Sequence, residues 1–194
     1  MNKIHSSKQV YIIHGYGASP QSHWFSWLKN KLLQDGIEVD ILQMPTPLSP
    51  SLPEWLDYLS RHADILARST YFVAHSLGCV SLLNYLQQAT LKEQIGGLVL
   101  VSGFTKALPS LPVLDEFTKE RFNYSQVADK VNKRAVIASK DDPIVPFSFS
   151  KDLAGEIHAD FYEVEHGGHF LESDGFTTLP ISYEVLSRMM GLAD

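Results

Sequence analysis

The chain has 194 residues, of which 44% are hydrophobic and 20% charged. That is enough for one ordinary domain spanning 1–194 with a sizeable core, and it excludes intrinsic disorder. The net charge is −6 with no dense Lys/Arg stripe, so a nucleic-acid partner is not expected. No apolar run is long enough for a membrane span, Met1 to Gln9 is polar with no signal-peptide core, and the lone Cys79 allows no internal disulfide. Together these point to the cytoplasm, and Cys79 reads as a small packed residue.

In chain order, Gln9 to Ile13 is a short apolar strand ending in the glycine-rich loop His14 to Pro20. Ser22 is placed to cap a helix running to about Gln34 with Trp24, Trp27, Leu28 and Leu32 on one face, and Asp35-Gly36 stops it. Ile37 to Leu42 is a second strand, followed by a proline-rich loop. Pro53 opens the next helix, with Trp55, Leu56, Leu59 and Ile65 or Leu66 as its buried stripe. Thr70 to Ala74 suits a strand buried on both faces, and Leu77 to Leu86 a helix packed on a sheet. Ile95 to Val101 is the fourth strand. Ser102 to Lys133 has no clear period and predicts one or two short helices over the sheet edge. Arg134 to Ala138 is the fifth strand, Pro146 to Ile157 a helix, Asp160 to Glu165 the sixth strand, and Thr177 to Met190 the last helix. Strand and helix alternate throughout, which predicts an α/β fold: a doubly wound, mostly parallel sheet of about six strands without a large cap domain.

Between the third strand and its helix sits Ala74-His75-Ser76-Leu77-Gly78. A strand that turns into a helix within two residues holds the turn residue in a strained backbone state and lifts its side chain above the sheet edge. Small neighbours are needed there, and Ala74 and Gly78 supply them. A serine hydroxyl is a poor nucleophile unless a base reaches it and an acid orients the base. Downstream come Asp142 and His169, each just past a predicted strand end. Ser76, Asp142, His169 is the chain order of α/β-hydrolases. Leu77, the residue after the serine, offers one backbone N–H to an oxyanion hole, and Tyr16, between Gly15 and Gly17, offers the other.

Asp141 competes with Asp142, but the pattern Asp-Pro-x-Val-Pro favours Asp142, leaving Asp141 to face solvent or cap the turn. His166 reads as structural, His14 and His75 as packing or hydrogen-bonding residues, and His23, His62 and His158 as surface or helix-face residues. Glu165, His166 and His169 do not complete a metal ligand set, and Gly15 to Gly17 carries no nucleotide-binding pattern, so neither metal nor cofactor is expected. Trp24, Met44, Phe104 and Phe147 are candidates for the wall of a substrate pocket, with core packing as the alternative for each.

Five stretches carry a family resemblance: Tyr11-Ile12-Ile13-His14-Gly15-Tyr16, His23-Trp24-Phe25-Ser26-Trp27-Leu28, the segment Ala74 to Gly78, Ser139-Lys140-Asp141-Asp142-Pro143, and His166-Gly167-Gly168-His169-Phe170. Over about Gln9 to Met190 the chain resembles the small α/β-hydrolases of the YdeN and retinoblastoma-binding protein 9 family, and looks especially close to the bacterial YdeN branch. The resemblance implies an α/β-hydrolase fold, a Ser76, Asp142 and His169 triad, and hydrolysis of an ester-like bond; the substrate expected is a small acyl compound (an ester, thioester or amide). It also raises an interaction protein on a hydrolase scaffold, although no protein partner is indicated by the residues. An acyltransferase using the same three residues is a further alternative.

Overall fold

The computed structural model describes residues 8–63 and 67–192. Six strands form one sheet: β1 (Gln9–Ile13), β2 (Glu38–Leu42), β3 (Thr70–His75), β4 (Ile95–Val101), β5 (Val131–Ser139) and β6 (Asp160–Val164). Their order is β2-β1-β3-β4-β5-β6 and every pairing is parallel. The helices are α1 (Phe25–Gln34), α2 (Leu52–His62), α3 (Leu77–Gln88), α4 (Asp115–Thr118), α5 (Tyr124–Lys130), α6 (Phe147–Glu156) and α7 (Pro180–Met190), with 3-10 turns at Pro112–Leu114 and Glu172–Asp174. No helix among the described residues is long and apolar enough to cross a membrane.

Strand residues alternate between two cores, as the two-residue repeat of a strand requires. Tyr11, Ile13, Phe72, Ala74, Leu98 and Leu100 face one core with α2, α3 and α6. Val10, Ile12, Tyr71, Val73, Val99 and Val101 face the other with α1 and α7. All residues of β3 and β4 are buried, which is why both read as continuous apolar runs. Between β1 and β3 the chain reverses its direction of travel across the sheet. In open α/β sheets the crevice at that reversal, at the strands' C-terminal ends, is where ligands bind.

Several boundaries differ from the sequence expectation. Ser22 does not cap α1: Trp24 stands at the cap, and the Ser22 hydroxyl bonds instead within the loop, accepting from the Ser19 N–H at 3.0 Å. Pro180, not Thr177, opens the last helix. Lys133 and its two predecessors belong to β5, so the irregular stretch is shorter than expected. Within it, α4 and α5 pack on α3. Of the α2 stripe, Trp55 and Leu59 are buried, while Ile65 and Leu66 lie outside the described residues.

Three basic side chains at the start of β5 and just before it tie down helix ends. Lys130 Nζ donates to the carbonyls of Leu86, Gln87 and Ala89 at the end of α3, at 2.7, 3.0 and 2.7 Å. Lys133 Nζ donates to Met189 of α7 at 2.9 Å. Arg134 donates to Ala128 in the last turn of α5, to Val131 just after it, and to Ile157 after α6. Each cation meets the orphan carbonyls and negative dipole end of a helix. Lys130→Met should therefore lower unfolding stability by about 1–3 kcal/mol, read by urea titration, while a loss under about 0.5 kcal/mol, the range of an ordinary surface substitution, would contradict this role.

Candidate active site

Ser76 stands between β3 and α3 with φ 54° and ψ −119°. A non-glycine residue rarely adopts such a backbone, which costs on the order of 1–3 kcal/mol and persists only where its surroundings impose it. The Ser76 N–H donates to Val101 O at 2.9 Å, and Ser76 O accepts from Cys79 N at 2.9 Å. Cys79 is buried, its Sγ donates to Ala74 O at 3.2 Å, and burial pushes the thiol far up, so it packs the turn at Ser76 and is not a reactive thiolate. Gly78 lets α3 press onto the end of β1: a Cβ there would sit 2.5 Å from Ile13 O. A Cβ on Gly15 would sit 3.1 Å from the Ser76 Cβ. The loop after β1 is thereby laid directly against the serine.

That loop is anchored by His14. Its Nδ1–H donates to Gly15 O at 2.9 Å and its Nε2 accepts from the Met44 N–H at 3.1 Å. Burial pushes the imidazole down, consistent with this neutral tautomer. Gly17 N donates to Pro47 O at 2.9 Å, so the loop after β2 braces the loop after β1.

The Ser76 Oγ lies 2.9 Å from His169 Nε2. On the far side of the ring, Nδ1 lies 2.8 Å from Asp142 Oδ2 and 3.0 Å from Oδ1. The His169 and Asp142 side chains are 4% and 3% exposed, so water competes little for this chain of hydrogen bonds. The buried carboxylate is satisfied elsewhere too: Oδ1 accepts from the N–H groups of Ile144 and Val145, both at 2.9 Å, and Oδ2 from the Ser102 hydroxyl at 2.8 Å. Ser102, at the end of β4 with φ 50°, was not singled out in the sequence. Its only signal was its place at the same sheet edge.

Asp141 is exposed, as expected, but its carboxylate does more than face solvent. It binds the backbone of the loop that carries His169. His75 lies fully under that loop and donates Nε2–H to His169 O at 2.8 Å. Its ring centroid is 4.9 Å from that of His169. His62 and His158 are exposed, as expected.

A cleft of about 80 Å³ opens over Ser76, bounded by Tyr16, His23, His169, Leu111, Ile144 and Leu171. The four residues expected to line a pocket are placed elsewhere. Trp24, Met44 and Phe104 are completely buried in the two cores, and the Phe147 ring packs against Phe161 with centroids 5.5 Å apart. His23, expected on the surface, is instead in the cleft wall, where its Nδ1 accepts from Glu172 N at 3.0 Å. Among the described residues no cluster of three or more His, Cys, Asp or Glu is placed to hold a metal ion.

A serine hydrolase family model matches residues 10–188. The chain belongs to this family. The chain is 59% identical to the protein YdeN of Bacillus subtilis (strain 168) over 181 residues, 93% of this chain and 95% of that one. It is 25% identical to the serine hydrolase RBBP9 of Rattus norvegicus over 178 residues, covering 87% of this chain and 89% of the other. The crystal structure of the B. subtilis ydeN product superposes with a TM-score of 0.94 at 57% identity, covering 95% of this chain and 100% of that one. The α/β-hydrolase fold and hydrolase character are thus those of the family.

The buried His75 should make the stability of this serine hydrolase depend on pH. Burial, and then neighbouring His169, hold its imidazole well below the ordinary 6.5. Below about pH 6.5 the unfolded chain binds a proton that the folded chain refuses, so stability falls as pH drops. Between about pH 7 and 5 the thermal midpoint should fall in the wild type and fall less in His75→Gln, whose amide can still donate to His169 O. Equal slopes in the two proteins would contradict this origin.

Proposed function

We propose that this serine hydrolase is carboxylesterase-like and cleaves small esters, thioesters or amides through an acyl-enzyme on Ser76. The supporting observation is the unbroken hydrogen-bond chain from Ser76 Oγ through His169 to Asp142, at 2.9 and 2.8 Å, built on a serine with a strained backbone. In the acylation step Ser76 Oγ attacks the substrate carbonyl carbon while His169 Nε2 takes the hydroxyl proton. Asp142 keeps the ring's Nδ1–H turned toward itself and stabilises the imidazolium that forms. The N–H groups of Tyr16 and Leu77 receive the developing oxyanion, on a loop and a helix start that are both held in place before substrate arrives. The bond to the leaving group then breaks, and His169 returns its proton to that group. Water, giving a proton to His169, attacks the acyl carbon, and collapse of the second intermediate releases the acid and restores Ser76.

The cleft supports a small acyl group. At about 80 Å³ it is small beside the roughly 300–1,000 Å³ of common small-molecule pockets, which favours a short acyl chain. Leu111, Ile144 and Leu171 give it apolar walls.

Ser76→Ala and His169→Ala should each lower kcat on p-nitrophenyl acetate by about 10⁴ to 10⁶. Across acetyl, butyryl and octanoyl esters, kcat/KM should be highest for the two shorter chains. Turnover retained in both variants would refute the Ser76 mechanism, and an octanoyl optimum would refute the small-cleft assignment.

A further inference from the structure

The loop from Gly167 to Leu171 carries His169, and every amide N–H in it has a partner. Gly167 N and Gly168 N each donate to Asp141 Oδ1 at 2.9 Å. Gly167 N also reaches Ser139 Oγ at 2.8 Å. His169 N and Leu171 N donate to Asp174 Oδ2 at 3.0 and 3.1 Å. Phe170 N closes a turn onto Gly167 O at 2.9 Å. His169 O, beside the ring, accepts from His75. Four of the five amides therefore depend on two carboxylates from opposite ends of the loop.

The loop needs this external hold. Gly168 has φ +51° and Phe170, which is not a glycine, has φ 56°. Two left-handed residues flanking His169 are a conformation the chain does not prefer by itself. Space is tight as well: a Cβ on Gly168 would sit 2.8 Å from the Asp174 carboxylate. Asp141 is bound strongly to its donors. The Ser139 hydroxyl, then the two glycine amides, hold its carboxyl far below the usual carboxylate range, so it accepts these bonds as an anion at any ordinary pH.

We propose that Asp141 and Asp174 are positioning residues, a two-carboxylate clamp on the backbone of the His169 loop that sets the imidazole between Ser76 and Asp142. Neither carboxylate makes a hydrogen bond to the His169 ring or to Ser76, so both act through the backbone. The inference rests on the reading of His169 as the base that serves Ser76. A ring held 2.9 Å from Ser76 Oγ tolerates little displacement, since a misplacement of about 1 Å can cost about 100-fold in rate.

The test compares Asp141→Ala, Asp174→Ala, Asp141→Asn and Asp174→Asn with wild type on p-nitrophenyl acetate, each well below its own thermal midpoint. The alanine variants should lose about 10- to 100-fold in kcat with a much smaller change in KM, because neither carboxylate itself lines the cleft. The asparagine variants keep a carbonyl oxygen for the amides and should recover most of the loss. Gly168→Ala serves where an alanine variant does not fold: it removes no hydrogen-bonding group, yet pushes the loop off Asp174, and should show the same kcat-selective loss. Folded variants with wild-type kcat, a change confined to KM, or asparagine variants no better than alanine would overturn the clamp. A wild type that neither turns over the ester nor reacts with a fluorophosphonate would instead overturn the Ser76 reading itself, and the clamp with it.

Discussion

The backbone of Ser76 is the constraint on which the rest depends. At φ 54° and ψ −119° it stands where an L-residue stays only under external restraint. The restraint comes from three directions. β4 accepts the Ser76 N–H through Val101 O. Gly78 lets α3 close against the end of β1, with no room for a methyl. Cys79 fills the space behind and donates to Ala74 O. Only because β1, β3 and β4 are adjacent and parallel can all three act on one residue. The strain is met by a sheet whose central strands are buried throughout, and its product is a hydroxyl that stands clear of the sheet edge, facing His169.

Around that hydroxyl, the groups that build the site are held by hydrogen bonds from separate elements. Asp142 draws on β4 through Ser102 and on its own loop through Ile144 and Val145. The loop after β1 is held by His14 to the loop after β2. The His169 loop is held by Asp141 from the β5 side, by Asp174 from beyond, and by His75 from below. Donors fixed in advance need not reorganise when charge develops, and this is where most of the electrostatic advantage of an enzyme site arises. Low dielectric strengthens these bonds, and also makes any unpaired group costly. His75 Nδ1 is one such buried atom without a protein partner.

Much of this was legible in the sequence, for identifiable reasons. β3 and β4 are buried on both faces, so they stand out as apolar runs between glycine and polar boundaries. The order Ser76, Asp142, His169 was readable because parallel strands bring all their C-terminal ends to one edge. The choice of Asp142 over Asp141 followed from the proline after it. What remained illegible depends on contacts between distant residues. Trp24, Met44 and Phe104 have the same apolar pattern whether they line a cleft or fill a core, and the structure puts them in the core. Ser102 meets Asp142 and His23 meets Glu172 across long sequence separations, with no motif to mark either. Asp141 and Asp174 hold backbone amides, which carry no residue-type signal at all. The one or two short helices expected after β4 are present as α4 and α5, but both are too brief for a period to mark where they begin and end.

The central claim is that Ser76 is an activated nucleophile. Its most direct test is reaction of the folded protein with a fluorophosphonate probe, followed by intact mass and peptide mapping, on wild type and Ser76→Ala. The account predicts one adduct, on the peptide containing Ser76, and none in the variant. A folded wild type that stays unmodified, or an adduct that survives Ser76→Ala, would contradict it.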